Sequence, residues 1–196
     1  MDGESKIYDE MFSEGGYQGV YDLHYRRRSY YPLFVSVLSK LQQRKVTSVL
    51  EVGCGTGSFA HMLIDRTQIA YRGFDFSAVA VEKAKLRTSR GDCFSVGNAL
   101  DEESYEGDFD AIVCTGVLEH IEQDREVVER WPSGRLVVCS VPNFDSATHV
   151  RFFRNEDEVG QRFGDLIELD PIVRKKKPAI SDSSMGNYLS VRPESS

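Results

Sequence analysis

The chain has little of what marks a membrane, secreted or metal-bearing protein. Across its 196 residues no apolar run approaches the roughly 20 residues that cross a bilayer, so no membrane span is expected. Residues 1–6, Met-Asp-Gly-Glu-Ser-Lys, are polar and acidic, without the apolar stretch of a secretory signal. A cytoplasmic protein is the expectation. There are only four cysteines, Cys54, Cys93, Cys114 and Cys139, and none form a close pair. That leaves no zinc or redox spacing, and no metal site is expected. Three of the four fall in or beside predicted strands and read as small buried hydrophobes. Cys54 stands apart because it sits in a glycine-rich loop. Basic charge is also scarce: the formal net charge of −7 is the opposite of a nucleic-acid footprint. The two local basic runs, 26–28 and 174–177, read as solvated faces. No internal repeat and no low-complexity linker interrupts the chain.

What remains is an ordinary globular composition, 40% hydrophobic, at a length that suits one domain. Apolar and turn-forming segments alternate. Strands are expected at about 46–52, 69–75, 92–96, 109–115 and 135–141. Helices are expected over 31–43, 58–66, 77–88, 122–130 and 155–163. Pro32 suits the first turn of its helix, Ser77 a cap, and Pro142 the end of the fifth strand. Such alternation predicts a parallel sheet covered by helices on both faces. Two final strands are expected at 166–173 and 188–191, joined by a long connection over 175–186. Residues 1–28 are rich in tyrosine and glycine and read as an irregular arm with one or two short helices.

The sharpest signal is Val49-Leu-Glu-Val-Gly-Cys-Gly-Thr-Gly57. Val49, Leu50 and Val52 make a short buried strand. Gly53, Gly55 and Gly57 then alternate, which permits a tight turn and close approach of a ligand to the backbone. Ser58 is a candidate cap for the helix that follows. Glu51 puts a carboxylate at the mouth of the loop, which suits a cationic ligand better than a pyrophosphate. Asp75 closes the second strand, where a carboxylate can grip ribose hydroxyls. Open parallel sheets bind ligands beyond the carboxyl ends of their strands. Residues 51–57, Asp75, Asn98, 115–120 and 142–144 all fall at such ends.

Four segments together carry a resemblance. Glu51-Val-Gly-Cys-Gly-Thr-Gly57, Gly73-Phe-Asp-Phe-Ser77, Val96-Gly-Asn-Ala-Leu100 and Phe109-Asp-Ala-Ile-Val-Cys-Thr-Gly-Val-Leu-Glu-His120 occur in the order and spacing of the class I S-adenosylmethionine-dependent methyltransferases. The chain most resembles their small-molecule branch, which includes the ubiquinone-biosynthesis enzymes (the methyltransferase type 11 group). The resemblance covers about residues 46–145. It implies an α/β, Rossmann-like, doubly wound sheet, mostly parallel, with an antiparallel C-terminal hairpin strand. It implies one methyltransferase domain over 1–196: an aromatic arm at 1–30, a cofactor-binding core at 31–145, and C-terminal strands with a substrate-side loop at 146–196.

The resemblance also assigns roles. S-adenosyl-L-methionine, leaving as S-adenosyl-L-homocysteine, would lie over Gly53, Cys54, Gly55 and Gly57, with its carboxylate at the first turn of the next helix. Glu51 would order the loop and favour the cationic groups. Asp75 would hold the ribose, and Phe76 either covers an adenine face or joins the core. Ser77 follows at the head of its helix. Asn98 stands where relatives often carry aspartate, and its carbonyl can still accept a bond from the adenine amino group. Ala99 and Leu100 would pack on the ring. Thr115, Gly116 and Val117 would end the fourth strand beside the transfer site. Glu119 and His120 follow, with His120 either a base for the acceptor's proton or a positioning group. Tyr17, Tyr21, Asn143 and His149 are candidate acceptor contacts.

The implied activity is methyl transfer to an oxygen or nitrogen of a small molecule, with no nucleic acid or membrane partner. The oligomeric state is unread. The alternative is a non-catalytic S-adenosylmethionine-binding partner or sensor, which would keep the loop and Asp75 but lack an acceptor pocket. Two other enzyme classes fail on their motifs. A dinucleotide site needs Gly-x-Gly-x-x-Gly, and residues 53–58 read Gly-Cys-Gly-Thr-Gly-Ser. Adenine-amino methylation resembles Asn/Asp-Pro-Pro-Tyr/Phe after the fourth strand, and that place reads Cys114-Thr-Gly-Val117.

Overall fold

A computed structural model describes the backbone of residues 2–175 and 185–191, and side chains within 6–16 and 19–168. Five parallel strands form its centre: β1 (Ser48–Val52), β2 (Ala70–Asp75), β3 (Phe94–Val96), β4 (Ala111–Thr115) and β5 (Leu136–Pro142). With β6 (Glu168–Lys175) and β7 (Met185–Val191) the order across the sheet is β3-β2-β1-β4-β5-β7-β6. β7 runs antiparallel to both β5 and β6. The expected connection between these last strands lies mostly at 176–184, outside the described residues.

Strand period decides the two cores. Val49, Ala111, Val113 and Val138 point to one face, and Leu50, Val52, Ile112, Cys114, Val137 and Cys139 to the other. Alternation of this kind is a direct consequence of side chains leaving a strand on opposite faces. Helices α2 (Tyr31–Gln43), α3 (Ser58–Arg66) and α4 (Ala78–Arg87) supply the first face with Phe34, Leu41, Phe59, Met62 and Ala84. Helices α5 (Asp124–Arg130) and α6 (Glu156–Phe163) supply the second with Val127, Val128 and Phe163, around a fully buried Trp131. Burying each such large side chain stabilises by about 1.5–3 kcal/mol. All four cysteines are buried and free.

Several expectations need correction. The arm is not irregular throughout: residues 2–13 form a full helix, α1 (Asp2–Ser13), followed by short 3-10 turns at Tyr17–Asp22 and Tyr25–Arg27. Tyr8 and Phe12 lie four apart, one helical turn; Tyr8 meets Phe76 on the body, and Phe12 meets Tyr21 farther along the arm. The α3 helix is capped by Gly57 in the left-handed region, with no side-chain capping bond, so Ser58 is its first residue and not its cap. The Ser58 hydroxyl accepts instead from Arg87 Nη1 at 3.3 Å. Strand β3 begins at Phe94, because residues 91–93 form a 3-10 turn. Ser77 does cap α4, accepting from the Ala80 amide at 3.1 Å, and Asn155 caps α6.

Candidate functional site

Register brings the scattered motifs to one rim. Val52 pairs with Phe74 and with Cys114, so the chain leaves β1, β2 and β4 at the same level. Gly53 and Gly55 carry φ values of 69° and 51°, which favour glycine. Their surroundings differ. A Cβ on Gly53 would lie 2.4 Å from Val117 Cγ2, whereas one on Gly55 would meet nothing within 4 Å. Gly53 therefore lets the loop pack against the segment after β4. Gly55 opens its backbone to a ligand.

Asp75 is buried, and both of its oxygens are held. Oδ2 accepts the Gly55 amide at 2.8 Å and Oδ1 accepts the Ser77 amide at 2.9 Å. Burial pushes its carboxyl up to about 6, against the lowering effect of those two amides. A carboxylate has about four acceptor positions, so two remain for hydroxyl donors. Glu51 is buried too, and Tyr71 Oη donates to its Oε2 at 2.5 Å. The absence of a side chain on Gly73 makes this possible, since a Cβ there would lie 2.1 Å from that hydroxyl. Burial raises the Glu51 carboxyl to about 8, so without a neighbouring cation it holds its proton at neutral pH. A cation beside it would favour its ionised form.

Asn98 Oδ1 accepts the Leu100 amide at 3.0 Å, which fixes the turn after β3. Ala99 is buried and Leu100 packs beside it on the second core, away from a purely ligand role. Phe76 is 39% exposed, which removes the core alternative for it. Cys54 is buried and its amide donates to the Phe74 carbonyl at 2.9 Å, tying loop to β2.

The arm closes over this rim. Tyr8 meets Phe76 edge-on at 5.1 Å between centroids, and the same ring meets His120 at 6.1 Å. Asp9 hydrogen-bonds Ser77 Oγ. Thr56 Oγ1 donates to the Tyr21 carbonyl at 2.9 Å, and Arg87 reaches the same carbonyl and that of Leu23. Tyr21 lies under the Arg28 guanidinium, and burial above all raises its hydroxyl pKa, with Arg28 opposing and the charge of the nearby Asp75 adding to the rise. It therefore belongs to the Asp75 side of the rim. The side chain of Tyr17 lies outside the described residues. Tyr8, Asp9 and Arg87 were missed in the sequence because nothing local distinguishes them from other arm and helix residues.

On the other side of Tyr8, Thr115 and Gly116 lead through Val117 into a 3-10 turn, Leu118–His120. The segment after β5 folds back onto it: the Val150 amide donates to the Glu119 carbonyl at 2.8 Å, and the Phe153 amide to that of Pro142 at 3.0 Å. Asn143 is half-buried at the start of this segment. The fold-back sets His149 against His120, ring centroids 5.2 Å apart. His120 Nδ1 is bonded to the Thr148 carbonyl at 2.8 Å and His149 Nδ1 to the Phe144 carbonyl at 3.2 Å. Burial holds the His120 imidazole below its ordinary pKa, outweighing the Thr148 bond. Glu119 is 1% exposed, and its Oε2 finds no hydrogen-bond partner among the described residues. Burial raises its carboxyl to about 7.

Comparison with known proteins agrees with this geometry. Residues 50–133 match the family described as methyltransferase domain. A trans-aconitate 2-methyltransferase of Rhodococcus jostii is 30% identical over 59% of this chain and 46% of its own length. A mitochondrial ubiquinone biosynthesis O-methyltransferase of Schizosaccharomyces pombe is 29% identical over 47% of this chain and 37% of its own. The chain thus spans about half or less of these relatives. Among solved structures, an N-methyltransferase of Bradyrhizobium japonicum in complex with S-adenosylhomocysteine superposes with a TM-score of 0.64 at 19% identity, covering 86% of this chain and 90% of that one. Among the described residues no helix is long and apolar enough to cross a membrane.

Proposed function

We propose that this chain, whose residues 50–133 match a methyltransferase domain, transfers a methyl group from S-adenosylmethionine to an oxygen or nitrogen of a small molecule. The observation that carries the reading is the contrast at the glycine loop. Gly55 faces open space beside the Asp75 carboxylate, while Gly53 is packed shut against Val117.

The residues fit the cofactor. Gly55 and its neighbours accept the methionine portion on bare backbone, and the first turn of α3 presents amides to its carboxylate. Asp75 has acceptor positions left for two ribose hydroxyls. Phe76, exposed and met edge-on by Tyr8, offers a face to adenine. Glu51 ionises as the positive charge arrives, so the charge is felt by a carboxylate that is otherwise neutral. When bound, S-adenosylmethionine supplies an electrophilic methyl carbon and leaves as S-adenosylhomocysteine.

Glu119, His120, Asn143 and His149 stand across Tyr8 from that cradle and form the acceptor side. Tyr8 of the arm touches both halves, and in-line positioning supplies much of the rate. The names of the curated relatives, acting on trans-aconitate and in ubiquinone biosynthesis, support a small-molecule acceptor. On this reading residues 1–30 are the arm, 31–145 the cofactor core, and 146–196 the acceptor-side segment and final strands.

The test is calorimetric titration with S-adenosylmethionine and S-adenosylhomocysteine, with NAD as control. Micromolar binding of the first two and none of NAD is expected. Absence of binding by both would overturn the reading.

A further inference from the structure

Glu119, His120 and His149 each offer a ligand atom, and the three atoms all lie within 4.8 Å of one another. Atoms bound to one ion at about 2.0–2.2 Å stand roughly 3–4 Å apart, so a small contraction suffices. Two details set this cluster apart from a chance grouping. A backbone carbonyl can only accept, so both histidines donate through Nδ1, to Thr148 and Phe144, which leaves Nε2 as the nitrogen with a lone pair in each neutral ring. A ring held through its other nitrogen is the arrangement that orients metal-ligating imidazoles. The third group, Glu119, is buried with Oε2 unpartnered among the described residues. An orphaned buried carboxyl oxygen is costly and is relieved by a cation.

We infer that Glu119, His120 and His149 bind one divalent first-row transition ion, of the range from manganese to zinc. Two imidazoles and one carboxylate favour such ions over magnesium or calcium, which prefer all-oxygen sites. Three protein ligands leave positions open for an acceptor heteroatom. Bound through its oxygen, an acceptor hydroxyl would lose its proton to water more readily, which assigns His120 to ion binding and not to proton abstraction. This last step rests on the methyl-transfer reading; the ion site itself does not.

Cobalt(II) is the probe, added to the chelator-treated 196-residue chain and followed by its visible absorption and by elemental analysis. One ion per chain is expected, with affinity falling at least about tenfold, the scale of losing a metal contact, in His149→Gln and in Glu119→Gln. His149→Gln alters a half-buried side chain, and thermal unfolding verifies that each variant is folded. His24 and His61, with ring centroids 5.1 Å apart, are the competing histidine pair, so His61→Gln is the control. Loss of the cobalt signal in His61→Gln and its retention in His149→Gln would overturn the inference, as would no binding to wild type. S-adenosylhomocysteine titration of the same metal-free samples separates the two readings. Cofactor binding without cobalt binding removes the ion site alone, and cobalt binding without cofactor binding removes only the methyl-transfer reading.

Discussion

The backbone amide of Gly55 donates to the Asp75 carboxylate at 2.8 Å, so the loop after the first strand is fastened to the end of the second. The same carboxylate holds the Ser77 amide at the head of α4. One side chain thus shapes the loop and faces the ligand. Replacing Asp75 with alanine is expected to weaken S-adenosylhomocysteine binding by about 1–3 kcal/mol, the scale of hydrogen bonds to a charged group. Wild-type affinity by calorimetry in this variant would remove Asp75 from the site.

The two loop glycines should respond differently. Gly53→Ala drives a methyl group into Val117 and should destabilise the fold by about 1–3 kcal/mol through overpacking. Gly55→Ala carries only the left-handed backbone cost of about 1–2 kcal/mol, yet obstructs the cradle and should lower cofactor affinity about tenfold or more. Val117→Ala in the Gly53→Ala background should restore part of the melting temperature. Equal thermal losses in the two glycine variants, with equal affinities, would contradict the division of roles.

Stability should fall with rising pH through a defined window. Asp75 is raised from 3.8 to about 6 and Glu51 from 4.5 to about 8, so between these limits the native state binds more protons than the unfolded state. The slope of unfolding free energy with pH is then negative. The stabilising effect of the two protonated carboxyls is present below about pH 4 and is lost as pH passes the folded values. In cofactor-free protein Glu51→Gln should flatten the decline between pH 6 and 8. An unchanged slope of melting temperature in that variant would assign the dependence elsewhere. The same linkage makes the affinity for cationic S-adenosylmethionine rise over pH 6–8 more than that for its uncharged-sulfur product.

Arg87 ties the arm to the body through the Tyr21 and Leu23 carbonyls and through Asp22, 3.6 Å away. Arg87→Ala should speed hydrogen exchange about tenfold over residues 14–23 while β1, β4 and β5 stay protected, because local opening needs only the arm's own contacts. Cofactor dissociation should quicken in parallel. Uniform acceleration across the sheet would show that Arg87 supports the whole fold.

Asp124 has a fully buried side chain and accepts from both Arg151 and Arg162 at 2.5 Å. It pins the segment after β5 and α6 to α5, and through that segment sets the place of His149. Asp124→Ala leaves two arginines without their shared acceptor. A loss of about 3 kcal/mol is expected for breaking such a pair, measured by urea unfolding. A loss under about 0.5 kcal/mol would mean that solvent around the half-exposed Arg162 replaces the contact.

The chain's local signals determined the order of strands and helices, the two-faced sheet and the glycine loop with Asp75 at its rim. Each rests on short-range physics: strand alternation, helical spacing, and the conformational freedom of glycine. The raised pKa of Glu51 was not legible, because it depends on burial, and neither was its bond from Tyr71, which reaches past Gly73 from the neighbouring strand. Nor was the arm's role, which comes from Tyr8 touching Phe76 and His120 from a distant segment. The grouping of Glu119 and His120 with His149 was hidden most completely. It exists only because the chain after β5 turns back and hydrogen-bonds to the turn after β4, and no spacing along the sequence records that return.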